Sequence, residues 1–373
     1  MFRPSLKNNW SLVGLATLAI VLYIIAQTSY TEIESSWYED KVVAAKKMET
    51  AMAVLTNEVH NLGLPIDRMN DPNETGLIGV NVSTITTSRG ALSERLITLN
   101  PNFAAAIVDL LRNAGLQEGD YVAVGVTGAN PGANIALYSA METLGLNPII
   151  ITSVGAATYG ANREIFTWLD MERVLFENGI TSFHSRHATM GGTNDLGRGL
   201  PPEGRDNIVR AVERNHRILL NSEEFEDNVR LRMDAYDSLL PDGARYRAFI
   251  NVGAGVGNVG SLVNARIIST GIHRRLHERT FSEPGTMMLF AQRNIPVVHI
   301  YNINRLVSQY DLPRNTYPMP TAGTGTLFST RINNVFIALV CWIILVGAIV
   351  TVIVFDRHDR KFTANIVDPD EEL

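Results

Sequence analysis

Titratable side chains gather in the middle of the chain. Asp170 and Glu172 stand close together in "FTWLDMERVL", and "HSRHATMGGTNDLGRG" collects His184, His187, Asp195 and Arg198. A histidine beside a carboxylate can act as general base on water, and an arginine can clamp a substrate carboxylate through paired N–H donors. Hydrolysis or amide transfer is the chemistry such a set suits. The plainer reading is a solvated loop whose histidines do no chemistry, with Asp170 supporting a helix start. The H-x-x-H of His184 and His187 lacks a third ligand at metal-site spacing, so no metal is expected. Ser153 follows an apolar run, as a nucleophile can, but "ITSVG" has isoleucine where the G-x-S-x-G elbow requires glycine.

Three small-residue loops offer a second chemistry. They are "GVTGANPGAN" (residues 125–134), "TSVGAATYGAN" (152–162) and "NVGAGVGNVGS" (251–261), and each follows an apolar run. Glycine lets a backbone approach a ligand closely, and amides at a helix start present positive partial charge to an anion. The candidate ligand-holding residues are Thr127, Gly128, Asn130 and Gly132, then Ser153 and Gly155, then Asn251, Gly253 and Gly255, with Arg198 as a clamp. Each loop alone also reads as an ordinary capped turn; their convergence is what favours a ligand. A phosphate loop is excluded because none of them carries lysine, and Gly255, Gly257 and Gly260 match G-x-G-x-x-G with no acidic ribose partner downstream. No cofactor is expected.

The elements that must carry these loops alternate helix and strand. "NPNFAAAIVDLLRNAG" reads as a helix closed by Gly115, "DYVAVGV" as a buried strand, "GANIALYSAMETLG" as a helix and "NPIIITS" as a second buried strand. Continuous apolar strands with a helical crossover suit a parallel sheet covered on both faces. "RAFINVGAG" and "IPVVHIYNI" supply two further strands, "FTWLDMERVLFENG" and the long run 205–240 are helical, and 181–204 reads as a polar loop. Met48, Met52, Leu55 and Val59 recur at helical spacing in an early amphipathic helix, either a stalk or one more core helix. The expected class is α/β, a Rossmann-like and mostly parallel sheet with flanking helices. Ligands on such sheets sit beyond the carboxyl ends of the strands.

Two segments stand apart. Residues 10–30 and 335–355 carry no charge, and each is long enough to cross a hydrocarbon core of roughly 30 Å at about 1.5 Å per residue. Arg3 and Lys7 precede the first, and Arg357, Arg360 and Lys361 follow the second, so both ends are expected in the cytoplasm. The division is then a cytoplasmic start (1–9), a span (10–30), an extracytoplasmic α/β domain (31–331), a second span (335–355) and an acidic cytoplasmic tail (356–373). A signal peptide is the rival reading of the first segment, although no A-x-A cleavage pattern follows it. The one cysteine, Cys341, lies in the second segment, so no disulfide forms within the chain. A net charge of −6 leaves no basic footprint for nucleic acid.

"PIDRMNDPNETGLIG", "ITTSRGALSERLITLNPNFAA", "VGVTGANPGANIA", "ITSVGAATYGAN", "FTWLDMERVL" and "DLGRGLPPEGR" occur in this order along most of the chain. In them the chain resembles the bacterial poly-gamma-glutamate system protein family. The resemblance implies an accessory membrane component working with the poly-gamma-glutamate synthase and its membrane partner subunit in making or exporting that anionic polymer. It carries no catalytic assignment to any residue, and the ligase's phosphate-binding motif is absent. An ectodomain that binds polymer or partner proteins is the leading expectation. A hydrolase or amide transferase that trims the polymer, and a purely structural anchor for the synthase, are the alternatives.

Overall fold

The computed structural model describes residues 9–276, 281 and 283–364. The chain divides into two compact units, residues 35–328 and a smaller one made from the two ends. The larger unit is built on a sheet whose strands we number β1 (Tyr121–Thr127), β2 (Asn147–Ser153), β3 (His187–Thr189), β4 (Ile218–Leu219), β5 (Tyr246–Val252), β6 (Gly271–His273) and β7 (Val297–Ile300). Their order across the seven-stranded sheet is β6-β7-β5-β1-β2-β3-β4. Every pairing is parallel except that of β6 with β7. The chain runs outward from β1 through β2, β3 and β4, then returns to the other side of β1 to lay down β5. The crevice between β1 and β5 is therefore where the winding reverses.

Side chains alternate across each strand and feed two layers. Val122, Val124 and Val126 of β1, with Ile250 and Val252 of β5, pack among the helices Tyr38–Asn61, Phe103–Asn113, Pro131–Thr143 and Trp168–Glu177. Ala123 and Phe249 point the other way, onto Met233 and Tyr236 of helix Phe225–Leu239 and Met287 and Phe290 of helix Thr286–Gln292. Burial on both faces is why β1 and β2 read as unbroken apolar runs. Met48, Met52, Leu55 and Val59 are all buried, so the early amphipathic helix belongs to the core rather than to an isolated stalk.

Two expectations need correction. The stretch 181–204, read as loop, contains β3, and the run 205–240, read as helical, is interrupted by β4. Both strands are very short, and strands of two or three residues leave no periodicity to detect.

The smaller unit contains helices Asn9–Thr28 and Val335–Ala364, which pack on each other. Each is long and apolar enough to cross a membrane, over Asn9–Thr28 with mean hydropathy 2.0 and Val335–Arg357 with mean hydropathy 3.1. Only 11% of either apolar window is buried, which a core helix of the same composition would not tolerate. Thr17, Thr28 and Thr351 return their hydroxyls to carbonyls one turn earlier, so these three donors are satisfied within their own helices. Beyond the helices, Tyr30–Glu34 pairs antiparallel with Ser329–Asn333, setting Glu32 opposite Arg331. Arg3, Lys7 and the acidic tail from residue 365 lie outside the described residues.

Candidate functional site

A cavity of about 380 Å³ opens at the carboxyl ends of β1, β2 and β5, beside the reversal of strand order. Thr127 ends β1, Ser153 ends β2, and Gly255 begins the short helical turn after β5; all three line it, together with Gly155 and the turn from Gly191 to Asp195. That turn is tightly wound. Gly191, Gly192, Asn194 and Asp195 all have left-handed φ angles, between 57° and 75°, a conformation that glycine, asparagine and aspartate tolerate best.

The winding drives Asp195 inward, where it is 1% exposed, against Arg232, which is 0% exposed. Arg232 Nε donates to Asp195 Oδ2 at 2.8 Å, and Nη2 stands 2.7 Å from the same oxygen as an ion pair. Its remaining donors reach Asn258 Oδ1 at 3.0 Å, Ser153 Oγ at 2.7 Å and Thr189 Oγ1 at 2.6 Å. The Ser153 and Thr189 hydroxyls lie 3.0 Å from Asp195 Oδ1, and Asn228 Nδ2 donates to the same carboxylate at 3.2 Å. A buried ion pair is tolerable when its lone pairs and protons are filled in this way. Gly257 makes the space: a Cβ there would stand 2.5 Å from Asp195 Oδ2 and 2.6 Å from Arg232 Nε. The middle glycine of the literal G-x-G-x-x-G thus serves packing around an ion pair.

Chemically the cavity offers side-chain hydroxyls over a floor where Arg232 and Asp195 cancel, with Glu283 also in its lining. Asp195 is held by Arg232 and leaves no free base beside Ser153, which no imidazole touches. The arrangement suits holding a polar ligand. Among the described residues no cluster of three or more His, Cys, Asp or Glu side chains is placed to hold a metal ion.

Of the residues singled out by sequence, Thr127, Ser153, Gly155, Asp195 and Gly255 come together at the cavity. Gly128, Asn130 and Gly132 do not, because the first loop is packed shut. Gly128 N donates to Ser153 O at 3.0 Å, Asn130 Oδ1 accepts from Thr98 Oγ1 at 2.7 Å and caps the helix through Ala133 N, and Gly132 lies on Thr98. The amides of Gly128, Ala129 and Ala133, like that of Gly155, are engaged by neighbouring backbone and side chains instead of converging on an anion. Asn251 bonds to Gly253 O and to His299 Nδ1, Gly253 N donates to Ile300 O, and Arg198 reaches out to Glu223 O.

The expected pairing of histidine with carboxylate does not form. His184 stands at a separate recess near the start of β2, edge-on to Phe176. His187 begins β3, buried, with its pKa lowered by burial and by Arg186. Asp170 closes a capping box with Thr167 and pairs with Arg214, which is the helix-support role. Glu172 is sealed in the core, accepting from Tyr138 and Ser185, and burial pushes its pKa up against those hydrogen bonds.

Sequence reading missed Arg232, Thr189, Asn258 and Asn228. One signal was available for the first. Val229, Arg232, Met233 and Tyr236 share a helical face, and an arginine on an otherwise apolar stripe marks a buried partner.

No family model matches the chain, and no curated protein or solved structure does either. Function is read from the residues and their geometry.

Proposed function

We propose that the chain is a two-pass membrane protein whose Rossmann-like domain lies outside the cytoplasm and holds a polar ligand. Its role is that of an accessory component in poly-gamma-glutamate production or export. The observation that carries the ligand-holding part is the cavity over the Arg232–Asp195 pair, set where the winding of a largely parallel sheet reverses. The motif resemblance supplies the polymer, and the two exposed apolar helices favour the membrane. A volume of about 380 Å³ accommodates the end or one or two units of a glutamate chain, not a long stretch of it. The synthase and its membrane partner subunit are the proposed protein partners, with lipid around the spans.

Incubating the full-length protein in lipid nanodiscs with gamma-linked polymer, and reading both retention and chain length, tests this. Retention without shortening is the expected result. Shortening of the chain would replace this reading with the hydrolase one, and absence of both would remove the polymer from the account.

A further inference from the structure

The lining of the cavity at the carboxyl ends of β1, β2 and β5 carries two carboxyl groups and no lysine, arginine or histidine. Asp195 is neutralised by Arg232, and its oxygens are filled by hydroxyl and amide donors. Glu283 differs. Among the described residues its carboxylate meets no cation and accepts no hydrogen bond. The net charge that this lining presents to a ligand is therefore negative.

Two glycines and a buried asparagine fix Glu283 at that position. The backbone leading into helix Thr286–Gln292 crosses residues 258–260 too closely for any side chain between them. A Cβ on Gly260 would lie 2.0 Å from Glu283 O, and one on Gly285 would lie 2.3 Å from Gly260 N. Asn264, 0% exposed, clamps the crossing by donating through Nδ2 to Val259 O at 3.0 Å and to Glu283 O at 2.8 Å. The main chain of Glu283 is thus pinned, while the residue itself is exposed and lines the cavity. Beside it, Leu262 and Val263 line the same opening although they are 55% and 59% exposed. Thr87, also in the lining, donates its hydroxyl proton to Ala156 O at 3.1 Å, so its oxygen is left to accept from a ligand. An unfilled carboxylate, an acceptor oxygen and an apolar rim suit an ammonium group carried on methylenes, and they disfavour a bare carboxylate.

A gamma-linked glutamate chain carries a carboxylate on every unit and one positive charge, the ammonium at its amino end. That terminal unit is the only one without net negative charge. We propose that the cavity recognises the amino end of the chain, with Glu283 pairing the terminal ammonium and Leu262 and Val263 covering the methylenes of that unit. This rests on the polymer reading above and names the part of the polymer that enters. The test is titration of the full-length protein in nanodiscs with a gamma-linked glutamate tetramer, with its N-acetyl derivative and with pentylamine, for wild type, Glu283→Gln and Glu283→Lys. Wild type should bind the free tetramer at least about fivefold more tightly than the acetylated one. Glu283→Gln should lose this preference, and Glu283→Lys should favour the acetylated chain. Neither variant should change the melting temperature without ligand, because the Glu283 side chain makes no bond within the described residues.

Equal binding of the two tetramers by wild type, or a preference for the free amine that survives in either variant, overturns amino-end recognition and leaves the polymer reading intact. Glu283-dependent binding of pentylamine, with neither tetramer bound, keeps the ammonium site and overturns the polymer. Binding of no probe overturns both proposals. A large fall in the melting temperature of Glu283→Gln marks the residue as structural and also overturns its role.

Discussion

Asp195 and Glu172 are both buried carboxyl groups, both were candidates from sequence, and they live in opposite circumstances. Asp195 meets a guanidinium, two hydroxyls and an amide, and it lines a cavity. Glu172 meets the hydroxyls of Tyr138 and Ser185, has Arg217 only at a distance, and reaches no opening. Burial by itself therefore does not mark a site. What separates the two is a matched charge at a surface recess against a carboxyl enclosed by neutral donors.

The widest gap should appear on removing the partners. Arg232→Met leaves Asp195 buried without its cation and should lower unfolding free energy by about 3–5 kcal/mol in denaturant titration of the solubilised protein. Adding Asp195→Leu should return most of that loss. If the double variant is as unstable as the single one, the pair is not the coupled unit described. Gly257→Ala, which presses a methyl group into the same pair, should cost about 1–3 kcal/mol.

Glu172→Gln should cost only about 1 kcal/mol, since its partners are hydroxyls that an amide can still meet. Its effect on pH dependence sharpens the contrast. The folded-state pKa is raised above 4.5, so the native state holds the proton more tightly than the unfolded chain. Stability from this group is then complete below 4.5 and is lost as pH climbs through the raised value. Glu172→Gln should flatten that decline, and a stability profile identical to wild type would contradict it. The smallest effect belongs to His184→Ala, about 0.5–1 kcal/mol from the lost edge-on contact with Phe176, with ligand retention unchanged.

The sheet was legible where its strands are long and doubly buried. Tyr121–Thr127 and Asn147–Ser153 announce themselves as apolar runs, and the loops after them could be located from strand ends alone. The site was only half legible. Thr127, Ser153 and Gly255 follow from position on a sheet edge, but Arg232 arrives from a helix far along the sequence and is recognisable only by the apolar company it keeps. The first loop misled because glycine, threonine, asparagine and proline serve a closed capped turn as well as an anion cradle, and only coordinates show that Gly128 N is engaged by Ser153 O.

The most direct measurement is hydrogen exchange on the full-length protein in nanodiscs, with and without a gamma-linked glutamate oligomer. Slowed exchange in residues 191–195 and 254–263, with residues 182–186 around His184 unchanged, is the predicted result. Slowing confined to the His184 recess, or no slowing anywhere, would contradict the assignment of the cavity.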